Sequence, residues 1–378
     1  MMPRLLASCA AVAAAVAALP AAAAPNAANP VTDCPNRDAP FSVRSPLIDL
    51  LLSPAARAVL DRHSPGTFAR MPASFVGTTP PSFAAILTAN EARRFTRMPE
   101  DKLAALDADL RVLPVTDADR TARCARFDND VPALSRVKGK PNILVFEKIN
   151  GFKDTPSVDA AHAALRQLAE RKGWAIAFTD KGGAFNARTL RQFDAVVWNN
   201  VSGDVLTLSQ RNAFQRWLAN GGGFVGIHGS AGDPVYFWDW YPDTLIGARF
   251  AGHPMDPQFQ EARIAVNRDH PLAAALPAEW RMTDEWYSFR SNPRAAGANV
   301  ILSLDESTYT RNGPMEAGLT MGAEHPIAWT NCIGKGRMFY SAIGHLPATY
   351  SQPQNVALLE AGIGWAATER RACPAAAR

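Results

Sequence analysis

The feature that most constrains this chain is an alternation that begins at Lys140, in which short apolar runs of strand length trade places with amphipathic stretches of helix length. Residues 142–146, 174–178, 195–198 and 224–227 are the apolar runs. Between them, Thr155-Pro156 opens a helix that carries Val158, Ala161, Leu165 and Leu168 on one face and is closed by Gly173. A short helix is expected over 187–192, and a longer one over 208–220 through Phe214, Trp217 and Leu218. Near-continuous apolar strands separated by helices indicate a parallel sheet covered on both faces. The expected fold class is therefore α/β, a doubly wound, mainly parallel sheet. Three glycines, Gly221 to Gly223, stop the last of these helices, and the strand that follows runs directly into His228. In open α/β sheets ligands bind beyond the carboxyl ends of the strands, which is where this imidazole stands.

The remainder of the chain divides around that sheet. Residues 1–24 combine Arg4, an alanine-rich apolar run and Ala22-Ala23-Ala24, the three parts of a cleavable secretory leader. Residues 25–40, rich in Ala, Asn and Pro, read as a linker, and 41–135 as a small helical module punctuated by prolines. In that module one helix is expected from Ser45 to the Pro65-Gly66 break, with others over 82–93 and 100–113. The α/β domain is expected over 139–370. Its second half holds an aromatic insertion, strands over 260–266 and 299–304, a loop carrying Asp284-Glu285-Trp286-Tyr287, a hairpin over 325–343 and a closing helix over 355–367.

The net charge of +4 comes without a Lys/Arg cluster and argues against nucleic acid as a partner. After the leader, Cys34, Cys124, Cys332 and Cys373 remain, an even number for an oxidising compartment. Three pairings are open to them. Cys34 and Cys124 bracket the helical module while Cys332 and Cys373 lie late in the chain, so 34 with 124 and 332 with 373 is the expected pattern. A secreted or periplasmic location follows, with no membrane association once the leader is removed.

Two imidazoles, His228 and His345, each end an expected strand beside glycine, and together they suit an acid/base pair or two ligands of one metal. His253 is a third candidate. Asp284 and Glu285 place two carboxylates next to aromatic rings, where desolvation can hold a proton near neutral pH. Tyr287, Trp238 and Trp240 offer faces on which a sugar ring could pack, although the aromatic run is equally compatible with ordinary loop packing. His63 and His162 are expected near solvent, and His270 and His325, each before proline, in turns. Gly221, Gly223 and Gly226 match a dinucleotide fingerprint in spacing, but they follow a helix and open a strand, the reverse of what that fingerprint needs.

Five motifs in order, Gly221 to Gly229, Phe250-Ala251-Gly252-His253-Pro254, Asp284-Glu285-Trp286-Tyr287, His325-Pro326-Ile327-Ala328-Trp329 and the stretch from Gly334 to His345, resemble the ThuA-like family of trehalose utilisation. That family belongs to the class I glutamine amidotransferase-like superfamily. The resemblance covers about residues 140–368 and implies a flavodoxin-like sheet and a carbohydrate context. It also marks departures. Where an amidotransferase carries its cysteine nucleophile in a Gly-x-Cys elbow, this chain has Gly226-Ile227-His228, and its later His-x-Glu has become His345-Leu346-Pro347. Without a thiolate, ammonia release from glutamine by that route is excluded. The aromatic-Arg-His-Asp turn common after the first strand is replaced by Phe152-Lys153-Asp154, without its histidine.

The expected function is that of a secreted enzyme acting on a small carbohydrate or glycoside, by hydrolysis or by proton transfer next to a carbonyl. His228, His345, Glu285 and Asp284 would be its acid/base groups, and His253, Tyr287, Trp238 and Trp240 its substrate contacts. The alternatives are a non-catalytic carbohydrate-binding protein and a zinc-dependent hydrolase on the same scaffold; no cofactor is required by the first two readings.

Overall fold

The computed structural model describes residues 29–134, 139–312, 319–369 and Cys373. The leader over 1–24, and the start of the expected linker, lie outside the described residues.

The alternation from Lys140 folds as expected. The strands are β1 (Asn142–Phe146), β2 (Ala175–Thr179), β3 (Ala195–Asn199), β4 (Gly223–Ile227), β5 (Phe250–Gly252), β6 (Phe259–Val266), β7 (Glu279–Glu285), β8 (Ser288–Phe289), β9 (Asn299–Leu304), β10 (His325–Ile333) and β11 (Gly336–Ser341). Nine of them form one sheet in the order β2-β1-β3-β4-β11-β10-β9-β6-β7, and β5 pairs with β8 alone. The five strands from β2 to β11 run parallel, and β10, β9, β6 and β7 continue the sheet antiparallel. Every residue of β3 and β4 is buried, as continuous apolar runs require of central strands covered on both faces. Each large side chain sealed in that core, among them Phe146, Phe224 and Phe339, contributes about 1.5–3 kcal/mol relative to exposure.

Local chemistry sets the helix ends. The carboxylate of Asp154 accepts the amide of Ser157 to open helix Thr155–Lys172, and Gly173 closes it at φ +67°. Thr207 and Gln210 form a capping box on helix Leu208–Ala219. The hairpin β10–β11 and the closing helix, Pro353–Thr368, stand where the sequence places them.

Three expectations need correction. The helix expected from Ser45 is two, Leu47–Leu52 and Pro54–His63, because Pro54 has no amide to donate and Ser53 caps a new start by accepting from Ala56. The span 82–93 is a short turn, Phe83–Ala85, followed by helix Ala89–Thr96 capped by Thr88, and helix Asp117–Cys124 was not anticipated. The described part of the linker is fastened down: Asp33 accepts the amides of Leu208 and Ser209, and Cys34 is buried in a disulfide with Cys124. Cys332 and Cys373 form the second disulfide, so the expected pairing holds. No helix among the described residues is long and apolar enough to cross a membrane.

The helical module has its own core around Leu50, Leu60 and Leu106, and it packs on the carboxyl-terminal end of the parallel strands. Ser82 donates to the Asn150 carbonyl after β1, and the Asp128 carboxylate accepts the amides of Gly182 and Gly183 while pairing with Lys148. The module therefore borders the sheet edge where His228 stands.

Candidate active site

Glu285 is the centre of the site. The sequence placed Asp284-Glu285 in a loop, but they are the last two residues of β7. Hairpin β6–β7 pairs with β9 only through Ile264 to Val266, so its other end, where Phe259 faces Glu285 and Gln260 faces Asp284, overhangs β9. Consecutive strand residues point to opposite faces, and these two carboxylates separate accordingly.

Asp284 turns to the strand end after β11. Its carboxylate accepts the amides of Gly344 at 2.7 Å, His345 at 3.2 Å and Leu346 at 3.0 Å, and it is fully buried. Burial pushes its carboxyl above the ordinary range, against the pull of His228 and of those amides. It fixes the turn that presents His345.

Glu285, 2% exposed, receives three imidazoles. His345 Nδ1 donates to Oε2 at 2.9 Å, His253 Nδ1 lies 3.2 Å from Oε1, and His228 Nε2 lies 3.5 Å from Oε2. Gln258 also donates to Oε1, at 2.5 Å. Burial alone would raise the carboxyl's pKa, but the surrounding imidazoles outweigh it and hold the group ionised, far below the usual range. The converse holds for His345, which burial would lower and which the hydrogen bond and charge of Glu285 raise above the ordinary histidine value.

His228 is locked in a rare conformation. It sits at φ +39°, left-handed for a non-glycine residue, at the turn between β4 and the next segment. Three contacts hold it there: its Nδ1 donates to the Ala342 carbonyl at 2.7 Å, its own carbonyl accepts from Tyr340 at 2.9 Å, and the next amide, Gly229, donates to Asn200 at 3.1 Å. Since a carbonyl can only accept, the proton of neutral His228 is on Nδ1. Nε2, which carries the lone pair only when the ring is neutral, is buried without a hydrogen-bond partner 3.5 Å from Glu285 Oε2. Gly344 permits this approach, because a Cβ there would collide with the Tyr350 hydroxyl and lie 3.0 Å from the His228 Cβ.

Tyr287 stacks on His228 with ring centroids 4.3 Å apart, and burial raises its phenol well above the usual value, so the hydroxyl keeps its proton. His325 is not in a turn but buried at the head of β10, where Nε2 donates to the Tyr287 carbonyl and Nδ1 meets Glu306. His270 does cap a turn, accepting from Leu272. His162 is not simply solvated: it pairs with Glu147 and stacks on Phe178. His63 pairs with Asp109 near its helix end. Trp238 and Trp240 stack on each other and edge onto Phe214, and among the described residues no hydrogen bond or ring contact joins either to the histidines.

The structure thus brings together His228, His345, His253, Glu285 and Tyr287, with Asp284 behind them, and leaves Trp238 and Trp240 in the packing around helix Leu208–Ala219. His345, followed here by Leu346-Pro347, takes its carboxylate partner from another strand, at Glu285. Sequence reasoning missed Gln258, Ala342, Tyr340 and Tyr350, which act through backbone or through a residue already named; only the glycine at 344 hinted at the close approach. Among the described residues, His228, Glu285 and His345 are also the group whose donor atoms, within 4.8 Å of one another, could hold a divalent cation. Two imidazoles and a carboxylate, with one buried nitrogen unpartnered, fit the chemistry of zinc.

Comparison with known proteins agrees with this architecture. A ThuA-like protein from Bacteroides uniformis superposes with a TM-score of 0.53 at 23% identity, over 65% of this chain and 98% of that one. A second, from Parabacteroides merdae, gives 0.46 at 18% identity over 63% and 93%, and a GMP synthase component from Thermoplasma acidophilum gives 0.36 at 13% over 61% and 96%. No curated protein matches the chain. The family described as "ThuA: Trehalose utilisation" matches residues 142–366, more than half of the chain and all of the elements that build the site, and the protein belongs to that family.

Proposed function

We propose that this protein is an extracytoplasmic enzyme that moves a proton at a carbon next to a carbonyl of an oxidised sugar or glycoside. His228 Nε2 is the base, His345 the acid, and Glu285 the charge that orients and stabilises both. The observation that carries this reading is the single buried, ionised carboxylate on which the three imidazoles converge. The trehalose-utilisation family supports a sugar as substrate. Hydrolysis by the usual pair of carboxyl groups, about 5–5.5 Å apart or about 6.5–9.5 Å apart, is less well served: Asp284 spends its oxygens on three amides and leaves Glu285 without a free partner. Both disulfides support a location in an oxidising compartment, as does the leader composition.

The test is solvent exchange. Trehalose and glycosides carrying a ring ketone are incubated with the protein in D2O and followed by proton NMR. Loss of the C–H signal beside the ketone, faster than in buffer, is the expected result. Cleavage of the glycosidic bond without exchange would replace this reading with hydrolysis, and binding with neither reaction would leave a carbohydrate-binding protein.

A further inference from the structure

Among the described residues exposed phenylalanines are scarce, and their placement is informative. Among the described residues Phe152, 36% exposed, and Phe259, 38% exposed, are the large aromatic side chains most open to solvent. Single exposed apolar residues need no explanation, but these two meet the same imidazole. The Phe152 ring lies 6.0 Å from that of His345, and the Phe259 ring 5.1 Å from it, edge-on.

Both stand on anchored backbone. Phe259 is the register partner of Glu285 across β6–β7. The Phe152 amide donates to Ser202, whose hydroxyl in turn binds Asp233 at 2.5 Å. The helical module supports Phe152 from behind: Phe83 lies 5.3 Å from it, and Phe75 stacks on Phe83 at 4.6 Å. A Cβ at Gly151 would lie 2.6 Å from Ile86, so the module and the β1 turn are in close contact at this point. An exposed ring kept in one place by its neighbours is pre-organised for a ligand, because little ordering entropy remains to be lost on binding.

We infer that Phe152 and Phe259 form an aromatic clamp at the mouth of the site that binds a second ring of the substrate, and that the N-terminal helical module is the clamp's back wall. The inference rests on the sugar reading above and narrows it to glycosides of at least two rings, a disaccharide or an aryl glycoside. A pyranose has a C–H face that packs on an aromatic ring and hydroxyls at its edge that remain in water. One ring meets His228, His345 and Glu285; the other lies on the clamp.

The experiment is a calorimetric or NMR titration with trehalose and with glucose on the full chain. Wild type should bind trehalose more tightly than glucose. Phe152→Ala and Phe259→Ala should each weaken trehalose by about 10-fold and change glucose by less than about 2-fold. Phe152→Trp should keep trehalose affinity, and Phe83→Ala, which removes the support alone, should lose about 3-fold. The substituted positions at the mouth are exposed, and unchanged thermal unfolding confirms the fold. If the alanine variants bind trehalose as wild type does, or if wild type does not prefer it to glucose, the clamp is wrong while the sugar reading stands. If wild type binds neither sugar, both fall.

Discussion

Glu285→Gln should reduce turnover of the exchangeable sugar by about 10² to 10⁴-fold, roughly 3–5 kcal/mol of barrier, with KM nearly unchanged. Gln has the same shape, so the site should keep its packing, and initial rates over a range of substrate concentration separate the two parameters. The effect is large because one carboxylate serves three imidazoles. An amide in its place still accepts a hydrogen bond from His345 but carries no charge to stabilise an imidazolium. His345 would then carry its proton less often at neutral pH, since burial lowers its affinity for the proton and, with the charge of Glu285 gone, only the more distant Asp154 and Asp284 oppose that. Turnover within a few-fold of wild type would remove Glu285 from the mechanism.

Asp284→Ala should destabilise the protein by about 3–5 kcal/mol, and the transition should fall by about 10 °C, as measured by denaturant and thermal unfolding. Three backbone amides, of buried Gly344 and His345 and of half-buried Leu346, would lose their acceptor. Each buried, unsatisfied donor costs about 1–3 kcal/mol. Asp284→Asn keeps an acceptor oxygen and should cost less. The contrast with Glu285 is diagnostic: neighbouring carboxylates on opposite faces of one strand, the first acting mainly on stability and the second mainly on rate. Equal stability of Asp284→Ala and wild type would show that the turn after β11 holds itself.

Much of this arrangement was legible in the sequence, for a physical reason. Buried parallel strands read as unbroken apolar runs, and Gly173, Thr155-Pro156 and the Gly221 to Gly223 stop are helix signals whose chemistry is local. His228 and His345 were visible because a strand end with glycine beside it needs few residues to specify. The antiparallel half was harder. β7 carries alternating exposed and buried residues, and its last residue, Glu285, breaks the alternation because it faces the histidines instead of water. A charge that ought to be exposed is buried by tertiary context alone, which no local pattern encodes. Trp238 and Trp240 illustrate the reverse case: aromatic residues in an insertion resemble a ligand platform, yet they are committed to each other and to Phe214. The rings that do reach the mouth, Phe152 and Phe259, lie 107 positions apart in the chain; Phe152 stands in the turn after the first strand that the family resemblance singles out, and nothing in its local sequence marks Phe259.

The most direct test of the central claim, that His345 and His228 converge on an ionised Glu285, is a histidine-selective 15N NMR titration of chelator-treated protein, wild type beside Glu285→Gln. The account predicts that His345 in wild type takes up its proton above the ordinary histidine value, and that the substitution moves this midpoint down. It also predicts that neutral His228 carries its proton on Nδ1. A His345 midpoint that is ordinary in wild type and indifferent to Glu285→Gln, or a neutral His228 protonated on Nε2, would contradict it.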